Sequence, residues 1–600
     1  MYRLELSERM DQKLILKLKL LANSWAFWLI LVTVIAILIR ALPALLNAAW
    51  GSDFGIYYGL TNSFVENKEF FNSYNGWGET YQYFPVLYAI TGIAHWATGF
   101  EVLSILPKIA PIFGGLTIAI LYFIVFELMK NRRIALLSAT LLAVATFHIY
   151  QTSHAAPLTM GHFFMLLSMY FFIKFIKKKE YIIPLFASTF LLILSHHFTT
   201  YFYIISITFI LFASISSKQS NKNTNFHILG YVSLISAVAF GYWAFIAKPV
   251  FYSFMQGKMF LSPYQIILLY YVFLYGGFIA LLFKKKYAEK ILTFPQFEMV
   301  TRKKKIVILF FILLAFSLFA SIMGIPGVYV KITPLALLYS LPMLLFVSIS
   351  LSGFSDLKKT YGGILIRGWT IALLLSFLYS IVTGNLFPDR HLEYLIVPLC
   401  IPAAIVAKEM LERNKKHDIK KASLRFVKPV FKHPQFNLMA AIVIGIMCIS
   451  NMMVAYPTID ALNSIDERVP KPCISTFEWM RGNVSNISVV ASDHRLSMIL
   501  WAEGFNITYG ETNHTWTAEN VSMCGSELKE LNVSHILIDD IMRETVINID
   551  VGKYYHMSNE SYEKFTSEPF KLIYRNATVN NIGEELHWVE VYKVNKSYFD

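Results

Sequence analysis

The chain has 600 residues, of which 56% are hydrophobic and 15% charged, with a mean hydropathy of +0.50. That much apolar side chain exceeds what one aqueous core can hold. It excludes a disordered chain, a disulfide-built secreted scaffold and a soluble nucleic-acid binder, and points to a multi-spanning membrane protein. The net charge of +14 is uneven, because residues 457–600 carry 12 Lys/Arg against 21 Asp/Glu. The excess basicity therefore lies earlier in the chain, where it reads as membrane loops and not as a polyanion-binding face.

Residues 1–24 are polar and basic and precede a full-length apolar run at 25–46, the pattern of an uncleaved signal anchor. Further apolar runs follow at 104–129, 134–150, 157–176, 181–216, 226–247, 264–283, 306–324, 332–353, 362–383, 391–411 and 437–456. The 181–216 run is too long for one span and is expected to break at Ser195-His196-His197. The 84–98 segment is short and bounded by Gly and Trp. Lys and Arg collect in 1–24, 130–133, 174–180, 218–222, 284–305, 355–359 and 408–436. Placing all of these inside satisfies the positive-inside rule and leaves 84–98 re-entrant or interfacial. The expected topology is thirteen crossings of a cell membrane, with the N-terminus cytoplasmic and the C-terminal region extracytoplasmic.

Beyond the Tyr456-Pro457 junction the composition changes. Nine Asn-x-Ser/Thr sequons occur at Asn483, Asn486, Asn506, Asn513, Asn520, Asn532, Asn559, Asn576 and Asn595, and none precedes them. Residues 457–600 are thus expected to be an exported, N-glycosylated domain. Ser488–Ala491, His535–Ile538, Phe570–Tyr574 and His587–Lys593 read as strands, and Leu496–Ala502 and Ser526–Leu531 as helices, making it α/β. Cys400 and Cys448 fall in spans. Cys473 and Cys524 share the exported compartment and are expected either to pair as a disulfide or to stay as buried thiols.

Ionisable residues at membrane edges are functional candidates, because lipid penalises them. Here they crowd one side. Asp53 follows the first span directly, and Arg40 lies about two turns below it on the same helix. His148 and His154 flank the outer turn Tyr150–Pro157, His162 lies one turn into the next span, His196 and His197 mark the broken stretch, and Asp389, Arg390, His391 and Glu393 open the span at 391–411. His154, His162, His196, His197 and Glu393 are candidate acceptor or metal contacts, the histidines as a set being candidate divalent-metal ligands. Arg390 and Glu393 also have the spacing of a simple i,i+3 ion pair. Trp77, Tyr81, Tyr83 and Phe84 read as interfacial aromatics, with sugar stacking as the other reading.

This layout resembles the GT-C membrane glycosyltransferases, and within them the catalytic subunit of oligosaccharyltransferase. Tyr81–Pro85, the apolar segment after it, and Leu106–Met129 with its basic turn are similar to that family's passage from first outer loop into the next spans. Arg390-His391-Leu392-Glu393-Tyr394, running into Val397-Pro398, resembles the late-span motif whose Arg contacts the lipid-linked phosphate. The resemblance implies a polytopic α-helical membrane domain over 25–456 carrying a small α/β domain. Three positions depart from it. Ser153-His154-Ala155-Ala156-Pro157-Leu158 lacks the second acidic motif, Ala491-Ser492-Asp493-His494-Arg495-Leu496 lacks the tryptophan pair of WWDYG, and Gly324–Lys331 lacks an acidic residue. These departures point away from sequon glycosylation.

The chemistry the resemblance implies needs a carboxylate near the acceptor proton and a cation on the donor phosphate. Asp53 is the expected catalytic carboxylate, and Arg390 the expected phosphate ligand, with Arg40 and Lys331 behind it. The expected partners are membrane lipid, a polyprenyl-phosphate-linked sugar and a glycan or protein acceptor, with no nucleic acid. No cofactor is expected beyond a divalent metal on the histidine set. A non-catalytic scaffold on the same fold and a transporter or flippase remain as alternatives.

Overall fold

The computed structural model describes residues 24–599, apart from 72, 218, 220, 257–260, 284–300, 327–332, 413–436, 457–465 and 551–552. The expected N-terminal segment 1–23 and the candidate Lys331 lie outside the described residues.

Each expected apolar run is helical. Among the described residues, ten helices are individually long and apolar enough to cross a membrane, from Trp25–Leu46 to Pro388–Leu411. Arg132–Ala143 and Thr146–Ser153 make an eleventh if their 62° bend is counted within one span. The remaining two runs are shorter than expected: Ile182–Ser195 has 14 residues and Leu438–Val454 has 17. The segment after the first loop forms the 13-residue helix Val86–Thr98, ended by Gly99 in the left-handed conformation. At about 1.5 Å per residue it cannot cross 30 Å of hydrocarbon. The chain is a multi-pass membrane protein.

Burial separates the helices by role. Pro388–Leu411 and His197–Ser216 are buried along most of their length and form the centre. Pro263–Phe283 and Arg302–Met323 bury almost nothing, and Phe311, Phe316, Phe319 and Ile322 lie exposed. Such faces are stable only against hydrocarbon. The break between Ile182–Ser195 and His197–Ser216 falls at His196, whose ring accepts from the Thr199 backbone N–H and caps the second helix.

The tail folds around a five-stranded sheet. Strands are numbered β1 (Ala49–Trp50), β2 (Arg468–Val469), β3 (Val489–Ala491), β4 (Asn506–Thr508), β5 (Val533–Asp539), β6 (Ile547–Asp550), β7 (Lys553–Tyr555), β8 (Phe570–Val579) and β9 (Glu585–Val594). The sheet order is β4-β3-β5-β9-β8, parallel across β4-β3-β5 and antiparallel beyond. Alternating apolar residues in β9 put Val589 and Val591 into the core, with Val533, Ile536 and Ile538 from β5. None of the nine sequon asparagines is buried; seven are exposed, and Asn513 and Asn576 are half-buried.

Two close backbone approaches among the described residues help tie this domain to the membrane helices. β1, directly after the first span, pairs antiparallel with β2, with Ala49 opposite Val469 and Trp50 opposite Arg468. The helix Phe54–Asn67 then packs against the tail helix His494–Ala502 through Gly55 and Gly59. A Cβ on Gly55 would lie 2.3 Å from the Ile499 nitrogen, and one on Gly59 2.3 Å from the Trp501 ring. Only glycine permits that approach, so the seam fixes the first outer loop against the tail.

The expected disulfide is not formed, and all four cysteines are free. The two sulfurs of the expected pair are engaged elsewhere. Cys473 Sγ lies 3.8 Å from Asp539 Oδ2 in the buried core, and Cys524 donates to its own helix at the Val521 carbonyl, 3.4 Å away.

Candidate active site

The Gly55–Gly59 seam sets the start of both helices at one point. Asp53 is the residue before Phe54–Asn67, and His494 is the first residue of the tail helix, which Asp493 caps by accepting from the Leu496 N–H. Their side chains meet. His494 Nε2 lies 3.0 Å from Asp53 Oδ1, and the Tyr81 hydroxyl donates to Asp53 Oδ2 at 2.9 Å. Burial works to raise the Asp53 carboxyl, but hydrogen bonds from His494, Tyr81 and Trp77 outweigh it and hold the group below the ordinary carboxylate range.

Asp53 opens on a cavity of about 530 Å³. Its walls come from the first loop (Trp50, Asp53, Trp77, Tyr81), the bend before the Pro157 helix (Tyr150, Gln151, His154), the broken stretch (His196, His197), the start of the Pro388–Leu411 helix (Arg390, Glu393) and the tail (Glu467, His494). The loops that charge placement assigned to one side of the membrane thus converge on one space.

Arg390 stands in the first turn of its helix, after Leu386 and Phe387 in left-handed backbone (φ +60° and +46°). Its guanidinium donates to Gln151 Oε1 at 2.8 Å and lies 3.8 Å from Asp389, with 43% of the side chain exposed. The alternative i,i+3 pair is not made. Among the described residues Glu393 bonds to His162 instead (3.2 Å), keeping one oxygen unpartnered. Arg390 therefore retains donors for an anion in the cavity. The Tyr81 hydroxyl, bonded to Asp53, is also within electrostatic reach of Arg390.

Arg40 does not reach the cavity. It is fully buried below it, bonded to the Thr152 hydroxyl (2.7 Å) and to the carbonyls of Ala36 and Ala143. Its position two turns down the first helix makes it a brace between helices, not a phosphate ligand.

The histidine set does not assemble as a metal site. His154 stacks on Trp50 (4.0 Å between ring centres) and bonds to Glu467 (2.9 Å), His162 is held by Glu393 beneath the cavity, and His196 is occupied at Nδ1 by Thr199. No group of three or more His, Cys, Asp or Glu suited to a metal occurs among the described residues.

Sequence reasoning missed Glu467, Gln151 and the role of His494. Glu467 enters the place where an acidic motif was expected, accepting from Ser52 (3.1 Å), Tyr150 (3.0 Å) and His154. Burial pushes its carboxyl up, but those three donors prevail and hold it below its usual range. Glu467 lies more than 300 residues away in sequence from all three partners, so no local pattern announces it. His494 lies in the very turn that departs from WWDYG. Trp77 and Tyr81, read as interfacial, line the cavity instead.

Against solved structures the chain is similar to two oligosaccharyltransferases of Archaeoglobus fulgidus. One is AglB in complex with an inhibitory peptide and a dolichol-phosphate, with a TM-score of 0.56 and 15% identity over 86% of this chain and 69% of that one. The other is a complex with Zn and sulfate, with a TM-score of 0.51 and 17% identity over 85% and 68%. The fold is that of the GT-C glycosyltransferases. No protein-family model and no curated protein matches the sequence.

Proposed function

We propose that this chain is a membrane glycosyltransferase that moves a sugar from a polyprenyl-phosphate donor to an acceptor hydroxyl in the tail-side cavity. The observation that carries the reading is the convergence of Asp53 and Arg390 on one cavity of a GT-C fold. Separate cavities would have favoured a scaffold.

The cavity supplies both halves of a displacement at the anomeric carbon. Arg390, backed by Gln151 and by the partial positive charge of a helix N-terminus, suits a phosphate that gains charge as it leaves. Asp53 and its partners form the proton-accepting side, where a hydroxyl would lose its proton as it attacks. The aromatic walls Trp50, Trp77 and Tyr150 suit a sugar ring. With Arg390 the one Lys or Arg side chain on the cavity wall among the described residues, a monophosphate donor fits better than a diphosphate. AglB is seen with a dolichol-phosphate, a ligand of this same class. The acceptor is a glycan or protein hydroxyl. A flippase would place its charges at the bilayer midplane; here they line one end.

The test is a membrane assay with radiolabelled polyprenyl-phosphate sugars. Wild type should transfer label to acceptor, and Asp53→Asn should retain folding and lipid binding while losing transfer. Equal transfer by both would overturn the reading.

A further inference from the structure

Asp53 is poorly placed to take the acceptor's proton itself. Its Oδ1 faces His494 Nε2 and its Oδ2 accepts from Tyr81. A carboxylate so supplied with donors stays ionised but accepts another proton weakly. His494 has the opposite character. An ionised Asp53 can only accept, so Nε2 of His494 carries the hydrogen between them, and in the neutral ring Nδ1 is then a bare acceptor. No hydrogen bond to Nδ1 occurs among the described residues, and Nδ1 is not among the buried polar atoms left unpaired. The ring lines the cavity, flanked by Trp77 and Tyr509.

We propose that His494, contributed by the tail domain, is the general base of the transfer, with Asp53 orienting it. The inference rests on the glycosyltransferase reading above. As the acceptor oxygen bonds to the anomeric carbon and the carbon–oxygen bond to phosphate breaks, the acceptor's proton passes to His494 Nδ1. The bonding pair leaves with polyprenyl phosphate on the Arg390 side. The imidazolium is stabilised by the Asp53 carboxylate until the proton is released to solvent. The tail is then a part of the catalytic centre, held there by the Gly55–Gly59 seam.

His494→Gln separates the roles, since its amide can still donate to Asp53 but accepts no proton. In the transfer assay kcat should fall by about 10²- to 10⁴-fold, with polyprenyl-phosphate binding unchanged. His494→Ala should recover part of its turnover with added imidazole. If His494→Gln turns over like wild type, Asp53 is its own base and the assignment fails while the glycosyltransferase reading stands. Loss of lipid binding in step with turnover would make His494 a structural residue and also overturn it. No transfer by wild type would overturn the glycosyltransferase reading, and the base with it.

Discussion

At the scale of residues, the chemistry of the cavity turns on which charges are committed and which are free. Arg390 spends Nη1 on Gln151, has Nε 3.8 Å from Asp389, and keeps Nη2. Arg390→Ala should therefore weaken binding of polyprenyl phosphate by about 2–4 kcal/mol, measured by titration in detergent. Arg390→Lys should recover only part, because an ammonium lacks the two-pronged geometry. Arg40→Lys should reduce stability with little effect on lipid affinity, since Arg40 is buried away from the cavity. A larger affinity loss at Arg40 than at Arg390 would reverse these assignments. Asp53 and Arg390 were legible in sequence because a charge beside a span needs a reason. Arg40 met the same criterion and misled, because sequence shows depth in the membrane but not which neighbours a helix faces.

At the scale of elements, the decisive joint is the packing of Phe54–Asn67 on the tail helix His494–Ala502. Gly55→Val would drive a side chain into the Ile499 backbone, so it should part Asp53 from His494. Transfer should fall and the tail should become sensitive to protease; an unaltered digestion pattern would show that the seam does not matter. Acid should act on the same joint. Asp53 and Glu467 both hold their carboxyls below the ordinary range, so their contribution to docking is complete above about pH 4 and is lost as pH falls through the depressed values. Tail release in acid should therefore be blunted in Glu467→Gln. The strands around Val490 and Ile536 were visible as apolar runs, whereas the pairing of β1 with β2 was not. Two-residue strands carry no periodicity, and their partners lie on opposite sides of the whole membrane domain in sequence. The disulfide expectation failed for a related reason: a shared compartment says nothing of distance, and Cys473 packs on Asp539. Reductant should leave the melting temperature unchanged, and four thiols should titrate after denaturation.

At the scale of the whole molecule, hydropathy and loop charge exposed the polytopic layout, since each residue type answers to the local solvent. The depth of the cavity was hidden, being built by stretches of chain that lie far apart in sequence. The helix Val86–Thr98 connects the two views, because its shortness puts Asp53 and Tyr150 on the same side. Cysteine placed at Lys68 should label from outside the cell, and cysteine at Lys130 should not; labelling at both positions would break the topology. The most direct test of the central claim is a structure of the protein with a non-hydrolysable polyprenyl-phosphonate sugar. The phosphonate should sit against Arg390 and Gln151, with the anomeric carbon facing the Asp53–His494 pair across the cavity. A ligand bound elsewhere, or turned with its sugar away from that pair, would contradict the account.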